Sequence, residues 1–469
     1  MVGARNENEE KQILALKKVS QEHLLRFWEE LNDSERDELM GDIAQVDFDF
    51  VQRAIPLLRE ESLARRVIQK PDVIVIPVTP KQIKAENEAL SIGEKLIRKG
   101  KASVFTAAGG QSSRLGLDTP KGTYPVSPVR HKSLFQVHAE KIAFLQQKYE
   151  VKIPWLIMVS ETNHDQTREY FEENGFFGLD TAYVRFLIQG MFPAMDEDGK
   201  LFLKEKNRVF LNPTGHGGTF STLADSGALL WLKEIGVQEM FYFQVDNVLV
   251  KVLDPVFLGY HGARRSEMSS KCVKKRDMGE KIGVFVIEDG TPTVVEYSEL
   301  SAIELSDGSQ VEDLRAGSIA IHAINVDFAI NITKGRLMLP LHVAHKSVPH
   351  VDERGRSIRP SEPNGYKFET FIFDALKNVR NTVIMEVARH EEFSPLKNRT
   401  GDDSPQTVQR DQLRYFSSWF EQAGISVPRD EDEEPLYTLE VSPLFAAFRE
   451  DFLRKIDRSI RVEGDLYIG

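Results

Sequence analysis

From residue 11 to about residue 100 the apolar positions recur every three or four residues. Ile13, Leu14, Leu16, Leu24, Leu25, Trp28 and Leu31 fall on one side of a 3.6-residue turn, the spacing of amphipathic helices. Asn32 followed by Glu35 predicts a capping box, because the Asn side chain can accept a first-turn amide while the Glu carboxylate reaches back to the cap amide. Arg59-Glu60-Glu61 reads as a solvated helix face. No chemistry is visible in this region.

Beyond residue 101 the pattern changes. Short apolar runs at 102–106, 155–159, 184–188 and 240–245 alternate with amphipathic stretches at 133–149 and 162–174, which predicts an α/β fold with a mostly parallel sheet and crossover helices. Ligands of open sheets lie beyond the carboxyl ends of the strands, where Gly109, Gln189 and Asp246 fall. Asp198-Gly199 predicts the turn of a hairpin at 194–203, and Asp289-Gly290 that of a second at 283–297. Asp196-Glu197-Asp198 has the outward form of a metal-binding Asp-x-Asp, but turn chemistry accounts for it better. Asp254 before Pro255 predicts a helix N-cap. Past residue 399 the run Thr400-Gly401-Asp402-Asp403-Ser404-Pro405 reads as a linker or flexible loop, and 429–434 is largely acidic. The expected division is therefore an N-terminal helical domain at 1–100, a catalytic domain at 101–399 and a small C-terminal domain at 400–469.

Composition narrows the classes of function. A chain of 469 residues with 41% hydrophobic and 28% charged residues is that of an ordinary globular protein, long enough for two or three domains. Its net charge of -12 argues against a nucleic-acid or anionic-membrane partner, which would require a basic surface. One cysteine, Cys272, excludes an intrachain disulfide and reads as a small buried residue. No run reaches the roughly 18 apolar residues of a membrane span, and the charged residues 1–11 do not form a secretory signal. The expected location is the cytoplasm.

The chemistry is concentrated at Val104-Phe105-Thr106-Ala107-Ala108-Gly109-Gly110-Gln111-Ser112-Ser113-Arg114-Leu115-Gly116, followed by Leu117-Asp118-Thr119-Pro120-Lys121-Gly122. An apolar run that ends in adjacent glycines and leads to an Arg and a Lys suits a polyphosphate. Glycines let backbone amides approach the ligand, and the cations offset its charge. Neither the Walker A spacing nor G-x-G-x-x-G is present.

This loop resembles the Gly-Gly-x-x-x-Arg-Leu-Gly…Pro-Lys signature of the nucleotide-sugar pyrophosphorylases, and in particular of the UDP-N-acetylhexosamine pyrophosphorylases among the uridylyltransferases. The likeness continues, in family order, through Gln189-Gly190-Met191-Phe192-Pro193-Ala194-Met195, Gly215-His216-Gly217-Gly218, Val245-Asp246-Asn247-Val248-Leu249-Val250-Lys251, Val295-Glu296-Tyr297-Ser298-Glu299 and Phe393-Ser394-Pro395-Leu396-Lys397-Asn398.

The resemblance implies a Rossmann-like nucleotide-diphospho-sugar transferase core and the conversion of UTP and a sugar 1-phosphate to a UDP-sugar and pyrophosphate. It implies that Arg114, Lys121 and Lys397 act on the phosphates, and that Gly109, Gly110, Gln189 and Gly218 contact the uracil. Asp246 is expected to hold Mg²⁺, although an Asx turn is the alternative reading of a strand-end carboxylate. His216, Glu296, Tyr297 and Ser318 are expected at the sugar. His216 and Ser318 stand where acetamido-type enzymes usually carry asparagines, and Gly-His-Gly is usual in glucose-type enzymes. Two other functions are weighed against this one. A UDP-sugar-dependent glycosyltransferase would need an Asp-x-Asp at the end of the central strand, and a non-catalytic nucleotide-sugar-binding regulator would have lost Lys121, Lys397 or Asp246.

Overall fold

A computed structural model describes residues 4–58, 66–110, 112–277, 279–334 and 339–469. Arg59-Glu60-Glu61 and Gln111 lie outside them. Two compact units are present, each assembled from separated stretches. One comprises Met1–Ala64, Gln189–Thr219 and Met338–Asp374, and the other Arg65–Ile188, Phe220–Leu337 and Ala375–Gly469.

This partition cuts the chain differently from the expected boundaries at 100 and 399, because apolar faces find their partners far along the sequence. In the first unit, helices Glu7–Lys18, Asp33–Gln45 and Phe48–Leu57 bury Leu16, Leu39, Ile43 and Phe50 in one cluster with Met195, Leu203, Val351 and Phe368. The Asn32 capping box forms as expected: Glu35 N–H donates to Asn32 Oδ1 at 3.1 Å, and Asn32 N–H to Glu35 Oε2 at 2.9 Å. Asp198-Gly199 also makes its turn, and the Asp196 carboxylate accepts the amides of Asp198 and Lys200 at 3.0 and 2.8 Å. The acidic triplet is turn chemistry. Around that turn only an isolated bridge, Met195 with Leu201, forms in place of paired strands.

The second unit is built on a mixed 11-stranded sheet. Its strands are β1 (Arg66–Gln69), β2 (Ala102–Ala107), β3 (Trp155–Val159), β4 (Val184–Ile188), β5 (Glu239–Gln244), β6 (Met268–Lys274), β7 (Val284–Glu288), β8 (Thr291–Val295), β9 (Ile303–Leu305), β10 (Ala316–Asn325) and β11 (Ile384–Glu386). The centre is parallel, in the order β5-β2-β3-β4. Val104, Phe105, Trp155, Ile157, Phe241 and Phe243 are fully buried there, as continuous apolar strands covered on both faces require. Helix Leu134–Tyr149 connects β2 to β3, and helix His164–Glu173 connects β3 to β4. Since β3 lies on one side of β2 and β5 on the other, the strand order reverses at β2. A crevice therefore opens beyond the carboxyl ends of β2 and β5.

Outside that centre most of the pairing is antiparallel, with β1–β9 and β6–β11 parallel. The long β10 pairs with β5 and with β6, and β7 and β8 form the expected second hairpin. Asp289 and Gly290 both take left-handed φ, +50° and +76°, the requirement of a type I′ turn. The stretch expected to be a linker is a capped helix start. Ser404 closes a capping box with Thr407, and Pro405 opens the helix Pro405–Gln422, where its missing N–H costs nothing. Val408, Trp419, Phe420, Leu439 and Phe452 join Val104, Ile157 and Phe243 in one core, so the C-terminal stretch packs onto the parallel centre.

Candidate functional site

Register places the first elements of the site. Ala107 of β2 is aligned with Gln244 of β5, so Gly109 and Asp246 each stand two residues past the ends of adjacent parallel strands. A Cβ built on Gly110 would meet nothing within 4 Å, which leaves open space beside the loop. Asp246 is only 7% exposed, and a carboxylate withdrawn from water needs a charged or hydrogen-bonding partner. Lys121 supplies it, with Nζ 3.3 Å from Asp246 Oδ2. Lys121 is itself pinned because Gly122 packs under the Phe135 ring, which a Cβ would approach to 2.1 Å.

The segment 393–398 is clamped onto the same strand end. Leu396 N–H donates to the Asp246 carbonyl at 2.9 Å. Asn247 accepts Ser394 N–H at 3.0 Å and donates to the Glu392 carbonyl at 2.8 Å. Lys397 Nζ lies 4.0 Å from the Asp403 carboxylate. Burial, with Asp246 adding to it and Lys397 and Arg276 opposing it, raises the Asp403 pKa above the usual carboxylate range. Lys121, Asp246, Lys397 and Asp403 therefore form one electrostatic neighbourhood. Arg114, on the turn Ser112–Leu115, is exposed and has no acid partner among the described residues.

Support from below escaped the sequence reading. His138 Nε2–H donates to the Val245 carbonyl at 2.9 Å, and Lys141 Nζ to the carbonyls of Val248 and Val250 at 2.6 and 2.9 Å. Both sit on the buried face of the helix after β2, where periodicity signals only burial. Asp254 caps its helix as expected, accepting Val256 N–H at 2.9 Å. Its other oxygen meets the fully buried Lys271 at 2.6 Å, and Lys271 also contacts Glu392 at 2.5 Å. This buried charge pairing lies behind the 393–398 segment. Cys272 is buried, and burial, followed by the Glu386 charge, pushes its thiol up to about 12. That agrees with the expectation of a small buried residue.

Gln189, His216 and Gly218 belong to the first unit. Gln189 is buried, and the neighbouring Gly190 carbonyl accepts Thr214 N–H at 3.1 Å. Gly217 and Gly218 are dictated by close approach: a Cβ would stand 2.6 Å from the Phe371 amide nitrogen and 2.1 Å from Thr214 Oγ1, respectively. The His216 ring stacks on Phe371 at 5.2 Å and lies 5.8 Å from Phe373. His216 Nδ1 accepts Ile372 N–H at 3.1 Å, which fixes the proton on Nε2. Burial lowers the His216 pKa to about 4, with Asp374 opposing and His342 assisting. The ring is neutral near pH 7. His342 in turn meets Asp374 at 2.8 Å.

Glu296, Tyr297 and Ser318 belong to the second unit. Glu296 and Tyr297 follow β8 directly, and the Tyr297 ring is exposed. Ser318 lies on β10 opposite Cys272, and its N–H donates to the Gly283 carbonyl at 2.8 Å. No group of three or more His, Cys, Asp or Glu fit to hold a metal occurs among the described residues. A single strand-end carboxylate such as Asp246 suits Mg²⁺, which takes one or two carboxylates and completes its shell with phosphates and water.

A parallel-centred sheet with a glycine loop, paired lysines and one carboxylate at its switch point defines a nucleotidyltransferase. Residues 54–413 match the family of UTP–glucose-1-phosphate uridylyltransferases. The chain is 36% identical over 432 residues to the human UDP-N-acetylhexosamine pyrophosphorylase-like protein 1, covering 87% of this chain and 85% of the relative. It is 35% identical over 435 residues to the UDP-N-acetylglucosamine pyrophosphorylase of Saccharomyces cerevisiae, covering 87% and 90%. Among solved structures, the uridine diphosphate N-acetylglucosamine pyrophosphorylase of Trypanosoma brucei, in complex with an inhibitor, superposes with a TM-score of 0.83 at 26% identity. It covers 100% of this chain and 99% of that one. The chain belongs to the UTP–glucose-1-phosphate uridylyltransferase family. It is an enzyme of the uridylyltransferase class, transferring uridylyl from UTP to a sugar 1-phosphate. No helix among the described residues is long and apolar enough to cross a membrane.

His138 makes the support of Asp246 sensitive to acid. Burial, with Lys141 adding to it, lowers its pKa to about 3, against ~6.5 in an unfolded chain. Above pH ~6.5 neither state is protonated there and this contribution is complete; as pH falls towards 3 only the unfolded chain takes up the proton, and stability is lost. Urea unfolding at pH 7 and pH 5 is expected to show about 1–2 kcal/mol less pH-dependent loss in His138→Asn than in the wild type. Equal losses would mean that His138 is charged in the folded enzyme.

Proposed function

We propose that the enzyme brings a hexose 1-phosphate to the α-phosphate of UTP at the carboxyl ends of β2 and β5, with Asp246 holding Mg²⁺. The 3.3 Å contact between Lys121 and Asp246 carries this reading, because it sets a metal ligand beside a phosphate-neutralising cation. The attacking phosphate is already mostly a dianion, its second pKa being near ~6, so no general base is needed. The work left to the protein is to align two anions that repel each other and to offset charge on the departing pyrophosphate.

Arg114 and Lys121 on the 109–122 loop take up the triphosphate in this scheme, and Lys397 joins them from the 393–398 segment. Each lysine exchanges a protein carboxylate for phosphate: Lys121 releases Asp246 and Lys397 releases Asp403. When bound, Mg²⁺ would add Lewis-acid polarisation of the phosphate oxygens. Gln189 offers both a donor and an acceptor to the uracil imide edge, supplemented by backbone groups of Gly109, Gly110 and Gly218. His216, Glu296, Tyr297 and Ser318 are left for the sugar.

For the sugar, we propose relaxed discrimination rather than a strict acetamido preference. The relatives' names favour an N-acetylated substrate. His216, however, has Nδ1 occupied by Ile372 N–H and offers a single Nε2–H donor, whereas an asparagine amide offers a donor and an acceptor.

Pyrophosphate release from UTP with a panel of sugar 1-phosphates tests this function directly. A glycosyltransferase or a regulator would release none. Asp246→Asn is expected to lower kcat at least ~100-fold at saturating Mg²⁺, the scale of losing a main charge stabiliser, and a near wild-type rate would remove Asp246 from the metal. Glucose or galactose 1-phosphate is expected to be used with kcat/KM at least comparable to that for N-acetylglucosamine 1-phosphate. His216→Asn with Ser318→Asn should shift preference towards the acetamido sugar by roughly tenfold or more per contact. A wild-type enzyme that strongly prefers the N-acetylated substrate would overturn the relaxed reading.

A further inference from the structure

The cations assigned to the triphosphate do not all stand free. Lys121 is engaged by Asp246 and Lys397 by Asp403, which leaves Arg114 as the one assigned cation without an acid partner among the described residues. A second arginine in this neighbourhood is also without one. Arg399 is exposed, and a Cβ built on Gly116 of the glycine loop would meet its guanidinium at 3.7 Å. Gly116 takes φ +76°, the left-handed region where a side chain is strained. The loop backbone thus turns a bare face towards Arg399.

Arg399 does not hang from a slack loop. The amides of Lys397 and Asn398 both donate to the Asp403 carbonyl, at 2.7 and 3.0 Å, and Asn398 Nδ2 donates to the Asp402 carbonyl at 2.8 Å. The turn that carries Arg399 is closed on itself. Its front edge is tied to Asp246 through Leu396 N–H, and its far edge runs into the Ser404 cap of helix Pro405–Gln422. A long side chain projecting from such a turn against the 109–122 loop has a fixed base and a free head.

We infer that Arg399 is a fourth phosphate-binding cation of this enzyme, meeting the UTP phosphates beside the 109–122 loop. The inference rests on the reading that the 109–122 loop holds UTP. Lys121 and Lys397 must each give up a carboxylate to meet the phosphates, whereas Arg399 has none to release among the described residues. A guanidinium suits the task because its planar fork can hold two phosphate oxygens at once and stays charged at every working pH.

The test is UTP binding by calorimetry in the presence of Mg²⁺, together with steady-state kinetics, on the full chain. Arg399→Ala is expected to raise the Kd for UTP about tenfold or more, in line with loss of a charge-assisted hydrogen bond, while KM for the sugar 1-phosphate stays within about twofold. Arg399→Lys should recover only part of the loss, since a point charge does not replace the fork. Arg168→Ala removes one positive charge from an exposed helix paired with Glu172 and should leave UTP binding unchanged. An Arg399→Ala enzyme that binds UTP as the wild type does would overturn the inference. So would an equal loss in Arg168→Ala, which would trace the effect to net charge. Failure of the underlying reading looks different: the wild type itself would then release no pyrophosphate from UTP with any sugar 1-phosphate.

Discussion

A carboxylate buried at the end of a parallel strand must be matched by positive charge, and the second unit is arranged around meeting that demand at Asp246. Lys121 reaches it from the glycine loop, whose anchor is the packing of Gly122 on Phe135. The backbone on either side is held independently of the side chain, with His138 on the Val245 carbonyl and Leu396 N–H on the Asp246 carbonyl. The Lys121–Asp246 contact offsets part of the cost of withdrawing both charges from water. In the proposed reaction the pair exchanges, phosphate taking the lysine and a divalent cation the carboxylate.

The same logic explains how a chain of net charge -12 binds a polyanion. In the proposed site the cations come from two segments far apart in sequence, residues 109–122 and 393–399, which the β2–β5 register and the Asn247 side chain hold at one strand end. In the first unit glycine serves a different end. Gly217 and Gly218 lie so close to Phe371 and Thr214 that any side chain would collide, and the loop presents His216 against Phe371 and Phe373. The Ile372 N–H on its Nδ1 restricts that histidine to one neutral tautomer and hence leaves its Nε2 a single donor.

Much of this was legible in the residues. The runs at 155–159 and 184–188 are strands to the residue, the first apolar and buried throughout, the second interrupted by Arg185 and partly exposed. Asn32 with Glu35 and Asp289-Gly290 act as local chemistry demands. Local signals also misled. Thr400-Gly401-Asp402-Asp403-Ser404-Pro405 has the composition of a flexible loop, but Ser-Pro is equally the start of a capped helix, and only packing decides between them. Long-range pairings left no trace in sequence. Nothing near Lys271 announces Asp254 and Glu392 as its partners, and nothing around Arg399 points to Gly116. The N-terminal helices showed an apolar face but not the distant strands that cover it.

The central claim is that Lys121 and Asp246 act as one unit on the bound phosphates, and a double-mutant cycle measures it most directly. kcat/KM for UTP would be determined for Lys121→Met, Asp246→Asn and the double variant. If the two residues share one charge array, the double variant should fall no more than about tenfold below the worse single one, a coupling on the scale of neighbouring charged groups. Losses that multiply, so that the double variant shows the product of both defects, would mean that the two side chains work independently and that their contact does not organise the site.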